Sequence, residues 1–472
     1  MLKFINKSIA QRVSLISADF LALITSLLCA EFTLSVLRNA PTHVDFEKLG
    51  IAKLVGLLVI AVFWYQEQYV KRRPTWEELR ILYKTIFVFA LLHLGISFLI
   101  SHQVVKWLNI LFWLFLLIIL PFFRYITKMF LLKLGIWQRN VYIVGIGKNA
   151  LSTFILLKND KLLGYNVIGF INPSSPIDDN LVATLSLPIL SFEDLLNNKM
   201  SKSDTEIIFA VSSSILLQNL NQINILQSKY TFLSIIPDLS GLPLYGVELN
   251  HFFGNEQLFL RLSNNLSRRL NRIIKRAMDI MLSSLAIVVL LPMFILIAFI
   301  IKITTKNNIF FKHERIGYLG KHFYCFKFQT MYPNSQQILE KVLVNDENAR
   351  KEWENDFKLK NDPRVTKIGK FLRITSLDEL PQLFNVLIGE MSLVGPRPII
   401  DKEIERYKEN YYYYKLVRPG ITGLWQISGR NDVDYIDRVK FDVWYVKNWS
   451  LWYDFVILFK TILVVLKRSG AY

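Results

Sequence analysis

The sequence predicts a membrane α/β protein. It reads as a four-helix transmembrane bundle, a small α/β middle domain and a monotopic, α-rich C-terminal domain with a re-entrant helix. Three observations point there. Of the 472 residues 52% are hydrophobic and 14% aromatic, and the mean hydropathy is positive, a composition of the membrane class. Apolar runs of spanning length crowd the first third. The net charge of +18 is also uneven: +9 over residues 1–140, −3 over 141–265 and +12 over 266–472. A segment of opposite sign reads as a soluble domain between two parts that meet something anionic. The apolar setting favours lipid headgroups or a phosphorylated substrate over nucleic acid. The two cysteines, Cys29 and Cys325, are far apart and imply no disulfide framework.

The apolar runs lie at about 13–37, 49–65, 81–100 and 107–132, within a first domain placed at 1–138. No cleavage site follows the first run, so it reads as retained. Lys3, Lys7 and Arg12 precede the first run; Lys71, Arg72, Arg73 and Arg80 separate the second and third; Arg124, Lys128, Lys133 and Arg139 close the fourth. Positive-inside logic then puts both ends in the cytoplasm with an even number of crossings. Asp19, inside the first run, reads as a buried partner for a polar group on a neighbouring helix.

The middle domain, placed at 139–265, opens with "NVYIVGIGKNA": an apolar strand, then Gly145-x-Gly147-x-x-Ala150, then a helical stretch. Glycines there permit a tight turn and close backbone approach to a pyrophosphate. The second strand, "YNVIGFINP", ends in Asn172, where a ribose-binding acid would stand. With "EIIFAVS" and "FLSIIPD" this makes a Rossmann-like α/β domain without a functional nucleotide site. The Tyr-x-x-x-Lys spacing in "YYYYK", 411–415, reads as chance.

In the last domain, 266–472, Arg268, Arg269, Arg272, Lys275 and Arg276 precede the apolar stretch 277–301, and Lys302, Lys306, Lys312 and Arg315 follow it. Basic flanks on both sides argue against a crossing. Pro292 near the middle removes a backbone hydrogen bond and kinks the helix. A broken helix that enters and leaves one leaflet satisfies both observations. Residues 440–468 read as a second anchor, with Trp444, Tyr445, Trp449, Trp452 and Tyr453 suited to the interfacial zone.

The cassette "RITSLDELPQLFNVLIGEMSLVGPRPI", 373–399, concentrates the chemistry. Pro381 fits only the first turn of a helix, so Asp378 and Glu379 sit at or just before a helix N-terminus. Ser376 to Glu379 has capping-box spacing. Taken alone, the carboxylates are helix caps. Lys327, Arg373 and Arg397 change that reading. Unit charges about 4 Å apart interact by roughly 4 kcal/mol at an effective dielectric near 20, so a carboxylate attacks an anionic phosphate only if cations neutralise it. Arginine suits the task because its planar fork grips phosphate oxygens in pairs, and Pro396 and Pro398 restrain Arg397.

At "ERIGYLGKHFYCFKFQTM", "NDPRVTKIGKFLRITSLDELPQLFNVLIGEMSLVGPRPI" and "RPGITGLWQISGRNDVDY" the sequence resembles the bacterial sugar transferases, the large monotopic phosphoglycosyl transferases. The resemblance covers about 268–472, and four spans plus a Rossmann-like domain resemble the long form of that family. The C-terminal "FDVWYVKNWSLWYDFVILFKTILVVLKRSGAY" is similar to undecaprenyl-phosphate galactose phosphotransferases. It implies a two-step, Mg²⁺-dependent reaction. Asp378 would attack the β-phosphate of a UDP-sugar, release UMP and carry a covalent phosphosugar, and undecaprenyl phosphate would accept it. Glu379 would assist the acceptor or, with Asp378, the metal. Lys327, Arg373, Gln382, Arg397 and Arg430 fall on substrate-binding positions, and a homodimer is among the implied partners. Two positions depart from the family pattern. Gln329 stands where "KFRTM" has arginine, and Leu291-Pro292 replaces Ser-Pro.

Two other classes compete. A membrane-bound nucleotide-sugar dehydratase would need bound NAD(P) and a credible Tyr-Lys pair. A non-catalytic assembly protein would not need an intact Asp378-Glu379 pair with Arg397.

Overall fold

The computed structural model describes residues 7–39, 50–100, 103–173, 187–197, 205–230, 232–239, 241–251, 258–262, 265–305, 308–347, 350, 359, 362–429 and 434–466. The chain forms two compact units, Met1–Leu239 and Ser240–Tyr472.

The first unit begins with four helices: α1 (Lys7–Arg38), α2 (Gly50–Tyr65), α3 (Thr75–Ile100) and α4 (Gln103–Lys133). They follow the apolar runs of the sequence. α1 buries Leu15, Asp19, Ala22, Ser26, Ala30 and Leu34, one face at three- to four-residue spacing. Its small residues let α4 approach closely. The large apolar side chains Phe20, Leu21, Ile24, Leu28 and Phe32 point outward, as lipid-facing residues do. α1, α3 and α4 are long and apolar enough to cross a membrane. α2 differs from expectation. Its 16 residues span about 24 Å, short of a hydrocarbon core of about 30 Å, and the residues just before it lie outside those described.

Asp19 behaves as the sequence suggested. Its carboxylate accepts from Arg124 Nε (2.7 Å) and Nη2 (2.6 Å) on α4 and from Tyr69 Oη (2.7 Å). Arg124 Nη1 also donates to Glu78 on α3 (3.4 Å), and Glu78 pairs with Lys128. Two acids and two bases thus stitch three helices together in a buried cluster.

The unit continues into a five-stranded parallel sheet, β1 (Arg139–Val144), β2 (Tyr165–Ile171), β3 (Ile189–Leu190), β4 (Thr205–Phe209) and β5 (Phe232–Ile235), in the order β3-β2-β1-β4-β5. β1 runs through the glycine turn into α5 (Lys148–Asn159). Gly145 is the glycine the turn requires: its φ is +124°, and a Cβ there would sit 2.8 Å from Ala210 O. Gly147 has an ordinary φ of −81° and open space around it. Arg72 Nη1 donates to Trp137 O (2.9 Å) and Leu163 O (2.7 Å), while Asp160 accepts from Thr75 N (3.0 Å) and Oγ1 (2.8 Å). The loop before α3 is therefore clamped to the sheet half of its own unit.

The second unit opens with a hairpin, β6 (Glu248–His251) with β7 (Leu258–Arg261). A 37-residue helix follows, α6 (Arg269–Thr305), helical straight through Pro292 rather than divided into two helices. β8 (Phe310–Ile316) and β9 (His322–Phe328) form an antiparallel hairpin, and β10 (Ser392–Val394) pairs in parallel with β11 (Gly420–Thr422). Around them lie α7 (Gln382–Ile388), α8 (Tyr435–Lys447) and α9 (Leu451–Leu466). Phe294, Ile297 and Ile301 of α6 share one core with Phe328, Leu372, Val386, Val394, Tyr445 and Trp449. This corrects one expectation: Tyr445 and Trp449 are 2% and 3% exposed, so they are core residues and not interfacial anchors. Their polar atoms explain why, since both donate to the buried Asp454 carboxylate (2.8 and 3.0 Å). The exposed apolar face of α9 consists instead of Phe455, Phe459, Ile462 and Leu463.

Candidate active site

Asp378 and Glu379 lie on a single 3₁₀ turn, Leu377–Glu379, with Pro381 directly preceding α7. The chain reaches this turn from the helix Lys367–Ile374, which Thr366 caps by accepting from Gly369 N at 2.9 Å. The expected capping box at Ser376 is absent. Ser376 has a left-handed backbone, φ +58°, and its N–H donates to Arg373 O (3.1 Å). It therefore closes the preceding helix. A non-glycine residue held there costs roughly 1–2 kcal/mol, stored next to the two carboxylates.

Both carboxylates are held, in different surroundings. Glu379 Oε1 accepts from Lys327 Nζ on β9 at 2.6 Å, with the two side chains 34% and 29% exposed. Burial pushes the Glu379 carboxyl up. The Lys327 charge and hydrogen bond, with Arg397 and Arg315 behind them, outweigh that and hold it below the usual carboxylate range. Asp378 is 8% exposed. Burial, reinforced by the Glu379 charge and opposed by Lys327 and Arg373, pushes its carboxyl up to about 6. Neighbouring acids driven apart in this way take different roles. Asp378 remains mostly anionic at neutral pH, poorly solvated and basic, which suits a nucleophile. Lys327 stays charged: burial lowers it, and Glu379 and Asp378 more than compensate.

The supporting residues are anchored across long sequence separations. Asn385, fully buried on α7, accepts from Phe326 N (3.0 Å) and donates to Tyr324 O (2.7 Å), fixing the strand that carries Lys327 against the carboxylate turn. Arg373 Nε donates to Thr330 Oγ1 (3.1 Å). Arg397 follows β10 in a loop of very close backbone contacts. Gly395 N donates to Thr422 O (2.9 Å) and Gly420 N to Pro396 O (2.8 Å). A Cβ on Gly395 would lie 2.5 Å from Arg418 O. Just upstream, Val394 O accepts from Lys275 Nζ of α6 (3.1 Å) and Tyr445 Oη of α8 (2.9 Å), and Lys275 also bonds Asp454 of α9 (2.8 Å). Three helices thus converge on the residue that starts the arginine loop. Arg397 Cζ lies 5.6 Å from the Trp425 ring centroid.

The structure gathers Asp378, Glu379, Lys327, Arg373 and Arg397 into one electrostatic neighbourhood. Gln382 is buried on the first turn of α7. Arg430 lies outside the described residues. Gln329 turns to a local bond, Nε2 to Met331 O at 3.0 Å. Among the described residues no three Asp, Glu, His or Cys side chains form a metal cluster. Mg²⁺ commonly takes one or two carboxylates plus waters and substrate phosphates, and the adjacent carboxylates of Asp378 and Glu379 are a donor set that would fit that ion. Sequence reasoning missed Asn385, Lys275 and Asp454, and it missed the guanidiniums of Arg315 and Arg438. Only the alternation of charged with apolar residues in "DRVKFDVWY" hinted at the last.

Residues 270–468 match the family model described as bacterial sugar transferase. The chain is 43% identical over 99% of its length, and 100% of the relative's, to an uncharacterized sugar transferase of Haemophilus influenzae. It is 42% identical to the undecaprenyl-phosphate galactose phosphotransferase of Salmonella typhimurium, over 89% of this chain and 87% of that one. To the UDP-galactose-lipid carrier transferase of Erwinia amylovora it is 41% identical, over 100% and 99%. With likeness running along nearly the whole chain and the carboxylate turn built as above, the protein belongs to the bacterial sugar transferase family.

Proposed function

We propose that the protein transfers a sugar 1-phosphate, with galactose the sugar, from a UDP-sugar to undecaprenyl phosphate in polysaccharide assembly. The environment of Asp378 carries this reading: a buried, partly desolvated carboxylate beside a Lys327–Glu379 pair, with Arg373 and Arg397 near it. Galactose follows from the names of the Salmonella and Erwinia relatives.

In the first step an Asp378 oxygen attacks the β-phosphorus. The bond from that phosphorus to the bridging oxygen breaks, and UMP leaves with the electron pair. In the second step an undecaprenyl phosphate oxygen attacks the same phosphorus and frees the Asp378 carboxylate. Lys327, Arg373 and Arg397 offset phosphate charge. Glu379, kept anionic by Lys327, orients the acceptor. Bound Mg²⁺ would be held by Asp378 and Glu379 and would neutralise diphosphate charge.

The setting is the cytoplasmic face of the bacterial inner membrane, in three parts: a four-helix bundle (1–138), a Rossmann-like domain (139–265) and the catalytic domain (266–472). The strand order β3-β2-β1-β4-β5 supports the middle assignment. A re-entrant course for α6 is supported by the basic residues on both sides of its apolar stretch and by Pro292 within it.

The test is covalent labelling. Protein in nanodiscs, given UDP-galactose labelled in the sugar and no lipid acceptor, retains label through denaturation and releases UMP. Asp378→Asn loses both. Normal turnover by Asp378→Asn would return the turn to a purely structural role.

A further inference from the structure

Behind Arg397 lies a cluster that the reaction above does not use. Arg438, on the first turn of α8, is 8% exposed. Its Cζ sits 5.0 Å from the Trp425 ring centroid and 4.9 Å from that of Tyr435. Arg397 reaches the same indole at 5.6 Å. Among the described residues three buried polar atoms at this point have no hydrogen-bond partner, Arg438 Nε, Trp425 Nε1 and Tyr435 Oη, and Arg438 Nη2 has only a 3.6 Å ion-pair contact with Glu403. Leaving a buried donor unmet costs about 1–3 kcal/mol, more for a charged group. A native fold rarely gathers such atoms in one place unless something else meets them.

The charge balance agrees. Glu403 is the shared counterion, 3.6 Å from Arg438 and 3.7 Å from Arg315, and it already accepts from Ile400 N (3.0 Å). Burial and then Arg438 press down on the Arg397 guanidinium, and Glu403 and Glu379 offset them only in part; the buried Asp442 also faces both arginines, with burial pushing its own carboxyl up to about 7. Two guanidiniums, an indole N–H and a phenol form a donor-rich lining. The matching ligand is a compact, multiply charged oxyanion.

We infer that Arg438, Trp425 and Tyr435, with Arg397, form a phosphate-monoester subsite next to the reacting carboxylates. The inference rests on the transfer reading for its choice of ligand. That reaction contains two phosphate monoesters, the departing nucleotide and the lipid-phosphate acceptor, and the shared chemistry is a terminal phosphate dianion. Trp425 here is a hydrogen-bond donor as well as an aromatic platform.

Binding measured without turnover tests it on the full chain in nanodiscs, with labelled UMP, labelled uridine and a labelled short-chain polyprenyl phosphate as probes. Arg438→Gln weakens at least one phosphate probe about tenfold or more, the scale of one or two charge-assisted hydrogen bonds, and leaves uridine binding unchanged. Arg438→Lys restores part of the loss, and Trp425→Phe, which keeps the ring and removes the N–H, weakens the same probe by a smaller factor. Loss confined to UMP assigns the leaving nucleotide, and loss confined to the polyprenyl phosphate assigns the acceptor. Unchanged binding of both phosphates, or an equal loss of uridine, overturns the subsite. Covalent labelling of Asp378 is scored separately, so a wild-type chain that binds UMP but never labels would sink the transfer chemistry and leave the subsite standing.

Discussion

The chain buries charge in two places and treats it differently. In the helical bundle, Asp19, Glu78, Arg124 and Lys128 balance one another, and both oxygens of Asp19 are hydrogen-bonded. In the catalytic unit, cations crowd around Glu379 and Glu403 while Arg438 and its aromatic neighbours keep unmet donors. The first arrangement is closed: nothing further is needed to satisfy it, and its role is to hold helices. The second is open and is completed by a ligand. Buried charge alone therefore does not separate a structural cluster from a binding one; the arrangement of its partners does.

Breaking the closed cluster has the largest expected effect. Arg124→Met leaves Asp19 buried without its cation and costs about 3–5 kcal/mol, read as a lower unfolding temperature in detergent. The double change Asp19→Leu with Arg124→Met, apolar on both sides, recovers most of it. Next comes the open site, read through pH. In the proposed mechanism Asp378 attacks as the anion, and burial pushes its carboxyl up to about 6. The rate of covalent labelling is therefore flat near neutrality and falls about tenfold per pH unit below 6. The Glu379 charge helps raise Asp378, so Glu379→Gln moves that acid limb to lower pH in single-turnover labelling, whatever it does to overall turnover. An unmoved limb would show that the two carboxyls do not sense each other. The smallest effect belongs to Tyr69→Phe, which removes one of three hydrogen bonds to Asp19. It costs about 0.5–1.5 kcal/mol and leaves labelling untouched.

Much of this was legible in the sequence where the signal is local. Apolar runs located α1, α3 and α4, and Asp19 inside one of them announced a buried partner. The strand-glycine-helix pattern located β1 and α5, although only Gly145 proves to need its glycine. Asp378, Glu379 and Pro381 placed the carboxylate turn just before α7. The local rule failed at Ser376, where the preceding helix claims its N–H. It failed again at Tyr445 and Trp449, whose aromatic character suits both an interface and a core. Only Asp454, buried beside them, decides between the two. Asn385, Lys275 and Arg438 escaped notice because their partners are distant in sequence: Asn385 meets Phe326 and Lys275 meets Val394 and Asp454. Periodicity carries no record of such pairings.

The backbone crossing at Gly395 and Gly420 has a consequence for how this protein can vary. A methyl group on Gly420 would lie 2.1 Å from Gly395 N, and one on Gly395 would lie 2.5 Å from Arg418 O. Of the twenty residues the genetic code offers, one fits at each position, whatever sugar the enzyme handles. Descendants of this sequence can diversify donor and lipid preferences through the side chains around the arginine loop. The path of that loop is closed to them.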